Sequence, residues 1–148
     1  MGTKRSGGCI CGKVRFHIEN APDTVSVCHC ALCRRWASGP MHAVHLSSGQ
    51  VVLEQDDSLA WYDSSDWAKR GFCSACGSSL FYRLKVGNEE FVVSAGALDD
   101  VSGMTFANQI FIDEKPGYYD FAGDIPAMTG PEVFAMFADD STEEGTPS

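Results

Sequence analysis

The chain has 148 residues, 44% of them hydrophobic and 11% aromatic, with seven cysteines and a formal charge of −9. That length suits one domain with a buried core, which excludes wholesale disorder. Eleven basic residues stand against 20 acidic ones, with no Lys/Arg run longer than two, so neither nucleic acid nor a membrane surface is expected as main partner.

Met1–Gly8 has no apolar stretch of the kind a secretory leader needs, and no apolar run approaches the ~20 residues of a bilayer span. Residues 1–6 fit a loose myristoylation pattern, but the first cysteine follows almost at once and leaves little free arm. The expected location is the cytoplasm. Disulfides are disfavoured there, and an odd cysteine count cannot pair completely, so the thiols point to metal or catalysis.

In chain order, residues 1–6 read as a flexible N-terminus and 7–138 as one domain. Val14, Phe16 and Ile18 alternate with Lys13, Arg15, His17 and Glu19, the period of a strand, and Val25 and Val27 continue it. Ala31–Ala37 reads as a helical turn. Strands are expected at Met41–Leu46, Val51–Glu54, Leu59–Asp63, Ser79–Leu84, Glu90–Ala95 and Gln109–Asp113, separated by turn residues such as Ser48-Gly49, Gly87-Asn88 and Lys115-Pro116-Gly117. Pro131–Phe137 reads as a short helix, and residues 139–148 as a disordered acidic tail. The fold class is all-β, with short antiparallel sheets and at most two short helices.

The cysteines fall into three groups: Cys9 and Cys11; Cys28, Cys30 and Cys33; Cys73 and Cys76. Residues i and i+2 of a strand share a face, so Cys9 and Cys11 suit one ion. Cys73 and Cys76 form a C-x2-C turn, with Gly77 placed where a positive φ would close a knuckle. The two pairs together make the four-thiolate set of a structural zinc. The middle group has three sulfurs and no eighth cysteine to complete it. Three protein ligands with an open position is the pattern of a catalytic zinc, where water or substrate takes the fourth place. Two other readings of this group are a second structural zinc completed by His29, His42 or His45, and an iron–sulfur cluster, whose usual spacings it does not match. His29, between two ligands that share a face, should point away from their metal and make structural hydrogen bonds. His17 should simply be exposed.

Gly7–Phe16 (GGCICGKVRF), Cys28-His29-Cys30-x2-Cys33-Arg34-Arg35, Arg70-Gly71-Phe72-Cys73-x2-Cys76-Gly77-Ser78-x-Leu80, Tyr62-x-Ser64-Ser65 and Gly96–Asp100 resemble the glutathione-dependent formaldehyde-activating enzyme (GFA) family, which includes the centromere protein V domain. The resemblance spans residues 7 to about 120 and takes in all seven cysteines. It implies a small zinc-binding β-tent and two zinc ions per chain. Cys9, Cys11, Cys73 and Cys76 match the structural ligands, and Cys28, Cys30 and Cys33 the catalytic ones. It implies carbon–sulfur lyase chemistry, in which glutathione as co-substrate and formaldehyde combine reversibly into S-(hydroxymethyl)glutathione. The chain departs from the family pattern at Gln109, where histidine is common, and at Tyr118, where tryptophan is; Trp36 stands where smaller residues are usual.

Small-molecule thiol and aldehyde are thus the expected partners. Arg34 and Arg35 are candidates for binding glutathione carboxylates, since guanidinium forks suit them. Asp99 and Asp100 could relay a proton or serve a turn. The alternative functions are a non-catalytic zinc-binding module that engages a protein, and a redox or metal buffer. The oligomeric state is open, a homodimer being one option.

Overall fold

The computed structural model describes residues 3–85 and 90–140. Eleven strands and two α-helices follow in order: β1 (Thr3–Gly8), β2 (Arg15–Ala21), β3 (Thr24–Cys28), α1 (Ala31–Ala37), β4 (Met41–Ser47), β5 (Val51–Gln55), β6 (Leu59–Asp63), β7 (Ala68–Cys73), β8 (Ser79–Leu84), β9 (Glu90–Ser94), β10 (Thr105–Ile110), β11 (Ala127–Met128) and α2 (Gly130–Asp140). The fold is mainly β, as the alternating pattern and frequent turn residues predict. β1, β2 and β5 form a small sheet, and the other strands a large one in the order β11-β10-β3-β4-β9-β8-β7-β6. The pairings are antiparallel except at β10, which runs parallel to both β3 and β11. The turn expected at Gly87-Asn88 lies outside the described residues.

Side-chain alternation, interrupted on β8 by a register shift at Leu80, divides the hydrophobic residues between the two faces of the large sheet. Val44 and Leu46 of β4, Leu80 and Phe81 of β8, and Phe91 and Val93 of β9 join Val14, Phe16 and Ile18 from the small sheet in the main core. Phe81 sits at its centre, with the rings of Phe16, Trp61 and Phe91 5.1, 6.0 and 5.2 Å away. Gly71 makes room for this stack, because a Cβ there would lie 3.0 Å from the Trp61 ring. Met41, Ala43 and Val92 turn to the opposite face, where they pack with Cys33 and border Cys28, Cys30, Trp36 and Tyr82. That second, smaller cluster carries α1. Phe81→Ala opens a cavity in the main core and should lower stability by about 3–5 kcal/mol in a denaturant titration.

Three local expectations change. Of the N-terminal segment expected to be flexible, residues 1 and 2 lie outside the described residues, and residues 3–6 belong to a strand, Thr3–Gly8, paired along β2, with Arg5 buried and its guanidinium donating to the carbonyls of Asp100 and Ser102. The polar sequence TKRSGG hides it, since its burial comes from long-range partners. The strand expected at Gln109–Asp113 lies earlier, at Thr105–Ile110, because Phe111 takes a left-handed conformation (φ 56°) that ends the ladder. The C-terminal helix begins at Gly130 and runs through Asp140, so residues 139 and 140 of the expected tail belong to it; the rest of that tail lies outside the described residues.

Candidate metal and active site

Cys9 and Cys11 lie not on a strand but in the turn after β1, where the Gly12 N–H bonds the Cys9 carbonyl and the Cys9 N–H bonds the Val14 carbonyl. The turn nonetheless brings their sulfurs together, 3.6 Å apart. Cys73 closes β7, and the knuckle turns on Gly77, whose φ of 81° confirms the need for glycine and whose N–H bonds the Cys73 carbonyl. Cys73 Sγ lies 3.8 Å from Cys11 Sγ, and all four sulfurs fall within 4.8 Å of one another. Four thiolates around zinc at 2.3 Å sit about 3.8 Å apart, so this donor set fits that ion. The Ser78 hydroxyl, 3.2 Å away, is the main reason the Cys76 thiol drops to about 5, while Cys11 is pushed up to about 11. Binding a metal here therefore requires the release of protons.

The middle cysteines come from a strand-to-helix junction. Cys28 ends β3, Cys30 caps α1 with its sulfur accepting the Cys33 N–H at 3.4 Å, and Cys33 lies one turn in, buried. Their sulfurs also fall within 4.8 Å of one another, and among the described residues no histidine or carboxylate joins them. His42 Nδ1 faces the Pro40 carbonyl, and His45 pairs with Glu90. Hydrogen bonds from the Cys28 and Cys33 thiols, the Cys33 N–H and the charge of Arg70 hold Cys30 far below the ordinary thiol range. This is the setting of a reactive thiolate or a metal ligand. Tyr82 lies beside the group, and burial pushes its phenol up to about 12.

His29 points away from the sulfurs and is fully buried. The Gln109 amide oxygen accepts from Nε2 at 2.8 Å, so Nδ1 accepts the Tyr119 hydroxyl at 2.6 Å. Burial lowers its pKa and keeps it neutral. The parallel register Gln109↔Val27 places Gln109 for this bond. Tyr119→Phe leaves buried Nδ1 without a donor and should cost about 1–3 kcal/mol of stability.

Of the other expected site residues, Arg34 is half-buried and its Nε donates to the His29 carbonyl, while Arg35 is exposed on the same last turn of α1. Asp99 forms a long-range ion pair with Arg15 of β2 at 2.5 Å, whereas Asp100 serves the turn by accepting from the Ser102 N–H and hydroxyl. His17 is not simply exposed: it lies between Glu19 and Glu54 with its side chain largely covered. A groove of about 580 Å³ runs past Cys9, Ala37, Met41, His42, Ser94 and Gly96; none of the three middle cysteines forms its wall.

The family model described as glutathione-dependent formaldehyde-activating enzyme matches residues 4–114. The chain belongs to the GFA family. It is 32% identical over 127 residues to an uncharacterized lyase of Schizosaccharomyces pombe, covering 86% of this chain and 92% of that one. It is 26% identical over 147 residues to a Halomonas elongata protein provisionally named a glutathione-dependent formaldehyde-activating enzyme, covering 93% and 91%. A crystal structure of a Rhodobacter sphaeroides protein shares the fold, with a TM-score of 0.57 and 23% identity over 82% of this chain and 98% of that one. Within this GFA chain, Gln109 serves His29 directly, whereas Tyr118 is 80% exposed and touches Tyr119 with its ring tilted by 53°. Arg70 was not singled out from the sequence as a site residue; the structure places it against Cys33. Nothing local in the sequence signals its burial.

Proposed function

We propose that this GFA-family chain is a zinc-dependent carbon–sulfur lyase that joins a thiol, glutathione by preference, to a small aldehyde such as formaldehyde, and reverses that step. The observation that supports this most is the convergence of Cys28, Cys30 and Cys33 without a fourth protein donor among the described residues. Beside it, Cys9, Cys11, Cys73 and Cys76 would hold a closed structural zinc, giving two ions per chain. A zinc held by the three cysteines supplies Lewis acidity that favours the thiolate form of an incoming thiol.

The chain's own contribution is orientation. Arg34 and Arg35, on one turn of α1, would meet the carboxylates of glutathione, and α1 is held in place by Cys33 and Trp36 packing on the large sheet. In the reaction the sulfur bonds the carbonyl carbon, the carbonyl π pair moves to oxygen, and the thiol's proton ends on that oxygen. Nothing else is consumed. The seven thiols are all unpaired, which suits the reducing cytoplasm.

The assay mixes zinc-loaded protein with glutathione and formaldehyde and follows adduct formation. Acceleration over the spontaneous reaction, lost on removal of the weaker-held metal, is expected. No acceleration with both metals present sinks the formaldehyde reading. If in addition glutathione leaves the spectrum of a cobalt-substituted sample unchanged, the site is closed and a non-catalytic zinc module is favoured.

A further inference from the structure

Arg70 of β7 is 4% exposed, and both of its terminal nitrogens lie 3.7 Å from Cys33 Sγ. Its guanidinium is clamped between Trp36 of α1 and Tyr82 of β8, with ring centroids 5.2 and 5.0 Å away. Its Nε is buried without a partner, and none of the ion pairs among the described residues includes it. A buried cation without an anion is strongly unfavourable. Among the described residues, the side-chain partner that its guanidinium has is the Cys33 sulfur.

We propose that Arg70 is the positioning residue of the three-cysteine site: its fork holds the Cys33 sulfur and offsets the charge of the sulfur cluster. The proposal rests on the reading that this cluster holds a metal. Three thiolates on a dication leave one net negative charge, and an incoming thiolate makes it two. A fixed guanidinium facing Cys33 favours both states over the neutral thiols. The aromatic clamp keeps it there, since Trp36 and Tyr82 offer their faces to the cation and shut out water. Trp36, a departure from the usual family residue, thereby gains a role. Outer groups that bond a ligand atom in this way typically change metal affinity ten- to a hundredfold.

The test is metal competition on the zinc-loaded full chain. A chromogenic chelator reports release, and alkylation with peptide mass mapping shows which cysteines were uncovered. Arg70→Gln should release metal from Cys28, Cys30 and Cys33 at about ten- to a hundredfold lower chelator concentration, with release from Cys9, Cys11, Cys73 and Cys76 unchanged. Arg70→Lys, which keeps the charge, should restore part of the loss. Equal release from Arg70→Gln and wild type overturns the proposal and leaves the metal reading standing. Free alkylation of the three middle cysteines in metal-saturated wild type overturns both.

Should Arg70→Gln not fold, the sign of Arg70→Met in a Cys33→Ala background decides. With its sulfur partner gone, the cation is left uncompensated, so Arg70→Met should raise the Tm there. A lower Tm makes Arg70 a packing residue only and overturns the proposal.

Discussion

Cys76→Ala should yield a chain with no cooperative unfolding transition and no metal at the Cys9 group. Structural zinc contributes about 10–16 kcal/mol of apparent folding free energy in small peptides, whereas a whole domain retains only about 5–15 kcal/mol of net stability. Losing one of four ligands removes much of the first quantity, and here the loss falls on the joint between the two sheets. Cys9 and Cys11 follow the last residue of β1, and Cys73 ends β7 of the large sheet, where it is fully buried. Without the ion, the knuckle leaves buried thiols and a free N-terminal turn. Near-ultraviolet circular dichroism and metal content give the answer. A Cys76→Ala chain with the wild-type melting temperature would show that the four cysteines do not bear the fold.

Cys30→Ala should have the opposite signature: turnover falls to the uncatalysed background while a folded chain with one zinc remains. Cys30 lies on the outer side of the large sheet, away from the main core of Phe16, Phe81 and Phe91. Its structural loss is the cap of α1, about 1 kcal/mol for replacement by alanine. Two thiolates cannot substitute for three, so the site loses its ion. Thermal melting, zinc content and the adduct assay on one preparation separate the two cysteine groups. If Cys30→Ala and Cys76→Ala lose the fold to the same degree, the division into a closed and an open site fails.

The cysteine spacing made both clusters visible before any coordinates. C-x-C and C-x2-C are local geometries, and two such pairs have few other uses. His29 was legible for the same reason, since a residue between two ligands that share a face must point elsewhere. β1 was not, because TKRSGG has no apolar alternation and owes its burial to contacts of Arg5 with the chain near residue 100. Arg70 was hidden in the same way. Its partners Cys33, Trp36 and Tyr82 stand 37, 34 and 12 residues away in sequence, and no local pattern announces a buried guanidinium. The parallel pairing of β10 was equally out of reach, as it depends on a crossover between distant strands.

The two cysteine groups differ in how far apart their members lie along the chain, and this sets an order of assembly during synthesis. Cys28, Cys30 and Cys33 leave the ribosome within six residues of one another, whereas the Cys9 group waits for Cys73, 40 residues after Cys33. At cellular elongation rates that delay is roughly 2–8 s. Over that interval the nascent chain carries a complete local chelator and only half of the other site. Arg70 and Tyr82, which wall the three sulfurs in, also emerge late. The Cys28 group is therefore complete while the chain around it is still an open peptide, and the Cys9 group closes only at Cys76, about half-way along the chain and before Leu80, Phe81, Phe91 and Val93 of the core are made.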